Sequence, residues 1–334
     1  CDRMRRREII ALLGAAALAP PLAARAQPER RVGRVGILTT TSEHDPEWKS
    51  EKAAFLEPMS GFGWTEGRNL QIEYRFGAGD PSRLAEAGRE LVDLRPDALL
   101  TRSTTSVRAL LAHTRKIPIV FVSVSDPVGE GFAASLARPG GTVTGFTNVE
   151  PTMGGKWLEL LKEIAPRVRR VGVLYNPAVA VGGGAFFLRP IEAAAPSFAL
   201  ALDLMPVRTI AEAENALEAL AGLPDSGLVV PPDVFIVANR AAVIGLAARH
   251  RLPAVYAFRN MAAEGGLLSY GVDVADLYRR SAAYVDRILR GAAPGDLPIQ
   301  APTRFELVIN LATARTLGLQ VPRELLLRAD EVIE

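Results

Sequence analysis

A chain of 334 residues is too long for one comfortable hydrophobic core, so two domains or lobes are expected, and the 49% apolar content is that of an ordinary folded protein. The formal charge of +2 arises in the first 26 residues, where Arg3, Arg5, Arg6, Arg7 and Arg25 outnumber Asp2 and Glu8; the remainder carries −1, which gives no electrostatic reason to expect nucleic acid or an acidic membrane surface as partner. Cys1 is the single cysteine, which excludes an internal disulfide, thiol catalysis in the body of the chain and cysteine-ligated metal.

The first element is an address. "MRRREIIALLGAAALAPPLAARAQ" has a charged start at Met4, a short apolar run from Ile9 to Ala19 and a small-residue ending at Ala24-Arg25-Ala26. That is the anatomy of an export signal, residues 1–26, with cleavage expected before Gln27 and the periplasm as destination. Arg6-Arg7 followed by Glu8, Ile9 and Ile10 fits the twin-arginine route, with the general secretory route as the alternative. Cys1 to Arg3 read as a misplaced start ahead of Met4. No later window reaches the length of apolar sequence that a membrane span needs.

Beyond the signal, strand and helix patterns alternate. "RVGILTTT" (34–41), "LQIEYRF" (70–76), "DALLTRSTT" (97–105) and "KIPIVFVS" (116–123) read as strands; so do "RVGVLYNP" (170–177), "LDLMPVR" (202–208), "SGLVVPPD" (226–233) and "RLPAVYAF" (251–258). The second four repeat the first in order, at offsets of 136, 132 and about 135 for the clearest three pairs. Between them lie helix-period segments at 80–94, 106–116, 154–165, 210–222 and 238–250. The fold class expected is therefore α/β, with two lobes, each a doubly wound parallel sheet covered by helices.

Ligands of open α/β sheets sit beyond the carboxyl ends of the strands. The loops there carry Thr40, Thr41, Ser103, Thr104, Ser123, Ser125, Asp126, Tyr175, Asn176, Asp233, Phe258 and Asp273. Hydroxyls and helix-start amides suit a carboxylate, and one or two aspartates suit an ammonium group. Plainer readings stand beside these. Asp126 before Pro127 is a good turn starter, and Asp233 and Asp273 make good helix caps. Ser103 and Thr104 fit as caps too, while Tyr256 and Phe258, two apart on one strand, fit the core.

Several longer stretches carry a resemblance: "GWTEGRNLQIEYR" (63–75), "IPIVFVSVSDPVGEGFAASLARPGGTVTGFTN" (117–148), "GGKWLELLKEIAP" (154–166), "YGVDVADLYRRSAAYVDRILRG" (270–291) and "LPIQAPTRFELVINLATARTLGL" (297–319). Together they resemble the substrate-binding proteins of ABC importers, in the tryptophan/tyrosine-type family with the type I periplasmic binding protein fold. The resemblance implies three crossings between lobes, near Thr142–Asn148, Leu267–Gly271 and Pro298–Arg304. It assigns 27–146 plus 268–298 to the first lobe and 147–267 plus 299–334 to the second. Gly140, Gly141 and Gly145 then read as hinge residues or as a tight turn before a strand.

The same resemblance implies an exported binding protein that clamps an amino acid, aromatic favoured, and delivers it to an ABC permease. The alternatives are another small carboxylate, or a module that feeds a receptor. Ser103 and Thr104 would hold a carboxylate and Ser123 and Asp126 would line the same jaw. Asn176, Asp233 and Asp273 would be polar contacts from the other jaw and the hinge, and Phe186, Phe187, Tyr256, Phe258 and Tyr270 are ring partners for an aromatic ligand. The run Gly182-Gly183-Gly184 followed by two Phe departs from the family's amino-acid-binding members. A monomer without cofactor, metal or nucleic-acid partner is expected. So is the absence of catalysis, because His44, His113 and His250 lie far apart and no nucleophile, phosphate-loop or metal-ligand motif appears.

Overall fold

The computed structural model describes residues 32–148, 150 and 152–334. The expected export signal lies outside the described residues.

Among the described residues, twelve strands form two sheets. The first contains β1 (Gly33–Thr39), β2 (Leu70–Phe76), β3 (Ala98–Arg102), β4 (Ile119–Val124) and β5 (Val143–Thr147) in the order β2-β1-β3-β4-β5, all parallel. The second contains β6 (Arg170–Tyr175), β7 (Ala201–Pro206), β8 (Ser226–Val230), β9 (Ala254–Tyr256), β10 (Leu268–Val272), β11 (Phe305–Asn310) and β12 (Glu331–Ile333). Its order is β12-β11-β10-β9-β8-β6-β7. Without β11 and β12 it reads β7-β6-β8-β9-β10, which is the first sheet's order repeated. The four strand pairs matched by sequence fall on equivalent positions, β1 with β6 through β4 with β9.

Central strands β3 and β8 are buried along their whole length, which explains their unbroken apolar runs. One departure from an all-parallel layout lies at β10 and β11, which run antiparallel with Leu268 opposite Ile309. The third crossing delivers the chain to the sheet's edge from the hinge end, so β11 enters in the opposite sense. A boundary also moves. Strand Leu268–Val272, expected in the first lobe, pairs with β9 and β11 in the second sheet.

The helix Val274–Leu289 that follows packs on the first lobe. Its buried side chains Leu277, Tyr278, Ser281, Ala282, Val285 and Ile288 recur at helical spacing. Tyr278 meets Trp48 of helix Pro46–Gly61 edge-on at 6.4 Å, and Trp64 Nε1 donates to Asp286 at 2.7 Å. Trp157 is core, as its spacing with Leu160, Leu161 and Ile164 suggests: it is 1% exposed and donates to the Tyr270 carbonyl at 2.8 Å.

The first and third crossings lie side by side. Gln300 N–H donates to Gly145 O at 3.0 Å, Thr147 N–H donates to Gln300 O at 2.9 Å, and the Thr144 hydroxyl donates to Leu297 O at 2.6 Å. Gly145 has a plain reason to be glycine, since a Cβ there would lie 2.0 Å from the Phe121 carbonyl oxygen. Gly271 repeats that approach in the other sheet, where a Cβ would lie 1.7 Å from Ala257 O.

Candidate functional site

In each sheet the strand order reverses between the first and third strands of its repeat, at β1/β3 and at β6/β8, and crevices in such sheets open beyond the carboxyl ends there. The loops at these points meet. Thr40 and Thr41 follow β1, Ser103 to Thr105 follow β3, Ser123 and Ser125 end β4, and Asn148 follows β5. Val179 to Val181 follow β6, Pro232 to Val234 follow β8, and Phe258 follows β9. Together with Arg102 and Val237 they line one narrow cleft of about 50 Å³.

Hydroxyls dominate the first lobe's side. Ser103 caps the helix Thr104–Leu111, its Oγ accepting the Ser106 N–H at 3.3 Å and lying 3.0 Å from the Thr105 hydroxyl. Its backbone sits at φ 86°, ψ 155°, a region other residues leave to glycine, at a cost of about 1–3 kcal/mol. Ser123 is also left-handed, at φ 59°. The Thr41 and Thr39 hydroxyls pair at 2.9 Å.

Asp233 faces them from the second lobe, 5% exposed. Oδ1 accepts the Phe235 and Ile236 N–H groups at 2.9 and 3.1 Å, capping the short helix Val234–Ala238, and Oδ2 accepts the Asn176 N–H at 2.7 Å. Burial raises its pKa, against the pull of those three donors. Cap and cleft wall are one residue here.

A wider chamber of about 450 Å³ adjoins the cleft, sharing Thr40, Thr105, Val179 and Val234 with it. Leu84, Pro81, Ala178 and Phe235 give the chamber apolar walls, and Asn176, Asp80, Arg208 and Asn239 add polar edges. A polar cleft beside an apolar chamber suits a molecule with a charged head and an apolar tail.

Behind the cleft lies an ionic cluster that joins the lobes. Arg102, 5% exposed at the end of β3, pairs through Nη1 with Glu51 and, at 3.1 Å, with Glu47, while its guanidinium lies 5.5 Å from the Phe258 ring centre. Glu47 also accepts from Asn260 Nδ2 of the second lobe at 2.7 Å. Burial pushes Glu51 up to about 8, with Arg102 pulling the other way. Beside this cluster Asp45 Oδ1 caps the helix Pro46–Gly61, and Oδ2 pairs with Arg240 of the second lobe at 3.1 Å. Asp45→Asn keeps the cap and removes the charge. The expected result is an unchanged melting temperature with a larger radius of gyration in small-angle scattering of ligand-free protein; an unchanged radius would show that this pair does not hold the lobes.

Residues 35–333 match the family model described as "ABC transporter substrate binding protein". The chain belongs to that family. It is 27% identical over 278 residues to a tyrosine-binding protein of Clostridioides difficile (strain R20291), covering 83% of this chain and 79% of that one. Its fold is similar to a conserved domain protein from Vibrio cholerae O1 biovar El Tor, with a TM-score of 0.82, 28% identity and coverage of 90% and 100% of the two chains. It is also similar to an ABC domain from Streptococcus pneumonia in complex with L-Trp, with a TM-score of 0.82, 24% identity and coverage of 90% and 99%.

Within this substrate-binding protein the structure brings Thr40, Thr41, Ser103, Thr104, Ser123, Asp233 and Phe258 to one cleft, and Asn176 to the adjoining chamber. Three expected residues stand elsewhere. Asp126 accepts the Gly129 N–H at 2.8 Å and closes a turn, away from the cleft-lining set. Asp273 caps the helix Val274–Leu289 through the Asp276 N–H at 2.9 Å and lines, with Glu306 and Arg279, another space of about 550 Å³ that meets the cleft only at Phe258. Phe187 is core, packed 6.2 Å from Trp157 and 5.1 Å from Phe186.

Of the other ring candidates, Tyr256 is buried in the second core cluster and Tyr270 stacks on Phe305 at 5.9 Å. The glycine run ahead of Phe187 is conformational: Gly182, Gly183 and Gly184 have φ of 58°, 65° and 100° as the chain turns into the helix Ala185–Ala194. Arg102 and Asn148 line the cleft without having been expected there. A charged residue closing the apolar strand "ALLTR" was the available signal for Arg102.

Proposed function

We propose that this ABC substrate-binding protein is exported to the periplasm, closes on an amino acid with an apolar or aromatic side chain, and delivers it to a membrane permease. The observation that carries the reading is the adjacency of the polar cleft and the apolar chamber, which share four lining residues. Hydroxyls at the start of the helix Thr104–Leu111 meet a carboxylate, Asp233 supplies the countercharge for an ammonium group, and the side chain extends toward Leu84 and Phe235. The tyrosine-binding and L-Trp-bound relatives support the same ligand class. Closure would follow from the ligand's contacts with both lobes, which stabilise the closed state by its differential affinity.

A thermal-shift screen of residues 27–334, freed of ligand by unfolding and refolding, tests this. At one hundred times the dissociation constant, binding adds about 2.7 kcal/mol, a shift of several degrees. A selective response to Trp, Tyr or Phe is expected. Silence from all twenty amino acids, with a hit among other carboxylates or sugars, would overturn the ligand class and keep the clamp. Asp233→Asn retains a capping oxygen and removes the charge. Its NH2 group cannot accept the Asn176 N–H that Oδ2 holds, so the melting temperature should fall somewhat. Where the variant is folded, amino-acid affinity should drop at least about tenfold, the scale of one charge-assisted hydrogen bond; unchanged affinity in calorimetry would remove Asp233 from the site.

A further inference from the structure

The cleft holds one polar atom that the protein leaves without a partner. Asn148 is 4% exposed, its backbone N–H donates to Val124 O at 3.3 Å, and its Nδ2 donates to Ser123 Oγ at 3.2 Å. Its Oδ1 is shut away from solvent with no hydrogen bond at all. Glu51, Asn260, Ser269 and Tyr278 also carry such an atom among the described residues, and none of those four lines the cleft.

The local backbone builds this arrangement. The pairing of β4 with β5 shifts register between Val122 and Val124, so Ser123 bulges out of the ladder with φ of 59°. Bulges at the ends of strands re-aim side chains. Here the bulge sets the Ser123 hydroxyl against Asn148 Nδ2, and the amide oxygen is left over. A buried acceptor without a donor is costly, and native structures rarely leave one unless something else supplies the proton. The hydroxyls of Ser103, Thr104 and Thr105 rotate to suit a donor or an acceptor. The amide oxygen accepts only.

We propose that Asn148 is a specificity-determining residue: its Oδ1 accepts a hydrogen bond from the ligand's amino group, and so separates an amino acid from its deaminated counterpart. This rests on the amino-acid reading above and deepens it. Asp233 supplies charge to the same group, whereas Asn148 supplies a directed acceptor from the first crossing between lobes.

The test is calorimetry of the wild type, Asn148→Leu and Asn148→Asp with L-tryptophan and with indole-3-propionate, which is the same molecule without the amine. The wild type should prefer L-tryptophan. Asn148→Leu should lower L-tryptophan affinity tenfold or more and leave indole-3-propionate within about twofold, so that the preference collapses. Asn148→Asp, close in size, should keep or tighten L-tryptophan and weaken indole-3-propionate, and it carries the test should the leucine variant not fold. A leucine variant that keeps the full preference, or loses both ligands equally, overturns the assignment, as does an aspartate variant that loses L-tryptophan. A wild type that binds another amino acid but not L-tryptophan is tested with that amino acid and its deaminated counterpart, and one that binds none of the twenty overturns the amino-acid reading itself and this assignment with it.

Discussion

Replacing Arg102 by leucine is expected to destabilise the protein by about 3–5 kcal/mol at pH 8, and by less at pH 5. The guanidinium is the charge partner of Glu51 and Glu47, and Glu51 is 1% exposed. Removing it leaves two carboxylates facing one another, Glu51 buried and Glu47 partly so. The pH dependence follows from Glu51. Burial raises its pKa from 4.5 to about 8, so the folded protein holds this proton more tightly than the unfolded chain does. Its contribution to stability is therefore full below about 4.5 and is lost as pH rises through about 8. Without Arg102, the pull that keeps the pKa from rising further is gone. At pH 5 a proton is available to neutralise the carboxyl; at pH 8 it must be taken up at a cost. Urea unfolding of wild type, Arg102→Leu and Glu51→Gln at both pH values checks this. Glu51→Gln should flatten the pH slope, and an equal loss for Arg102→Leu at both values would count against the mechanism.

Phe187→Ala should cost about 3–5 kcal/mol of stability and leave ligand choice untouched. The ring is 5% exposed and packs between Trp157 and Phe186, so truncation opens a cavity in the second lobe. The melting temperature should fall by roughly 6–20 °C. At a temperature where the variant is folded, aromatic and aliphatic amino acids should lose affinity equally or not at all. A selective loss for aromatic ligands would restore Phe187 to the site.

Phe187 also marks where sequence reading ends. Its pattern, two aromatics at a helix start after a glycine run, is the same whether the helix turns them toward the cleft or toward Trp157. The glycine run before it decides, through three successive left-handed residues whose combined turn no periodicity encodes. The duplicated sheets were legible because strands buried on both faces must be apolar throughout and must end in polar loops. The switch-point residues Thr40, Ser103 and Asp233 follow from those strand ends alone.

Asp126 was not separable in the same way, because an aspartate before proline starts a turn and contacts a ligand with equal ease. Arg102 was missed since a charge at a strand end ordinarily reaches water, and here Glu47 and Glu51 of another helix hold it inside. Asn148 depends on a bulge 25 residues earlier. The antiparallel entry of β11 depends on the direction from which the third crossing arrives, which the local sequence of that strand does not contain.

The two crossings joined through Gly145, Thr147 and Gln300 form a ribbon rather than a pair of separate threads. Two segments bonded in this way cannot slide past one another without breaking those bonds, so a rotation of one lobe against the other would bend both together. That favours the molecule as the frame of an optical reporter. With the proposed closure on a ligand, dyes placed on the rims, away from this ribbon, would change separation by a reproducible amount. An insertion at either crossing would break the paired strand's hydrogen bonds as well and blur the signal.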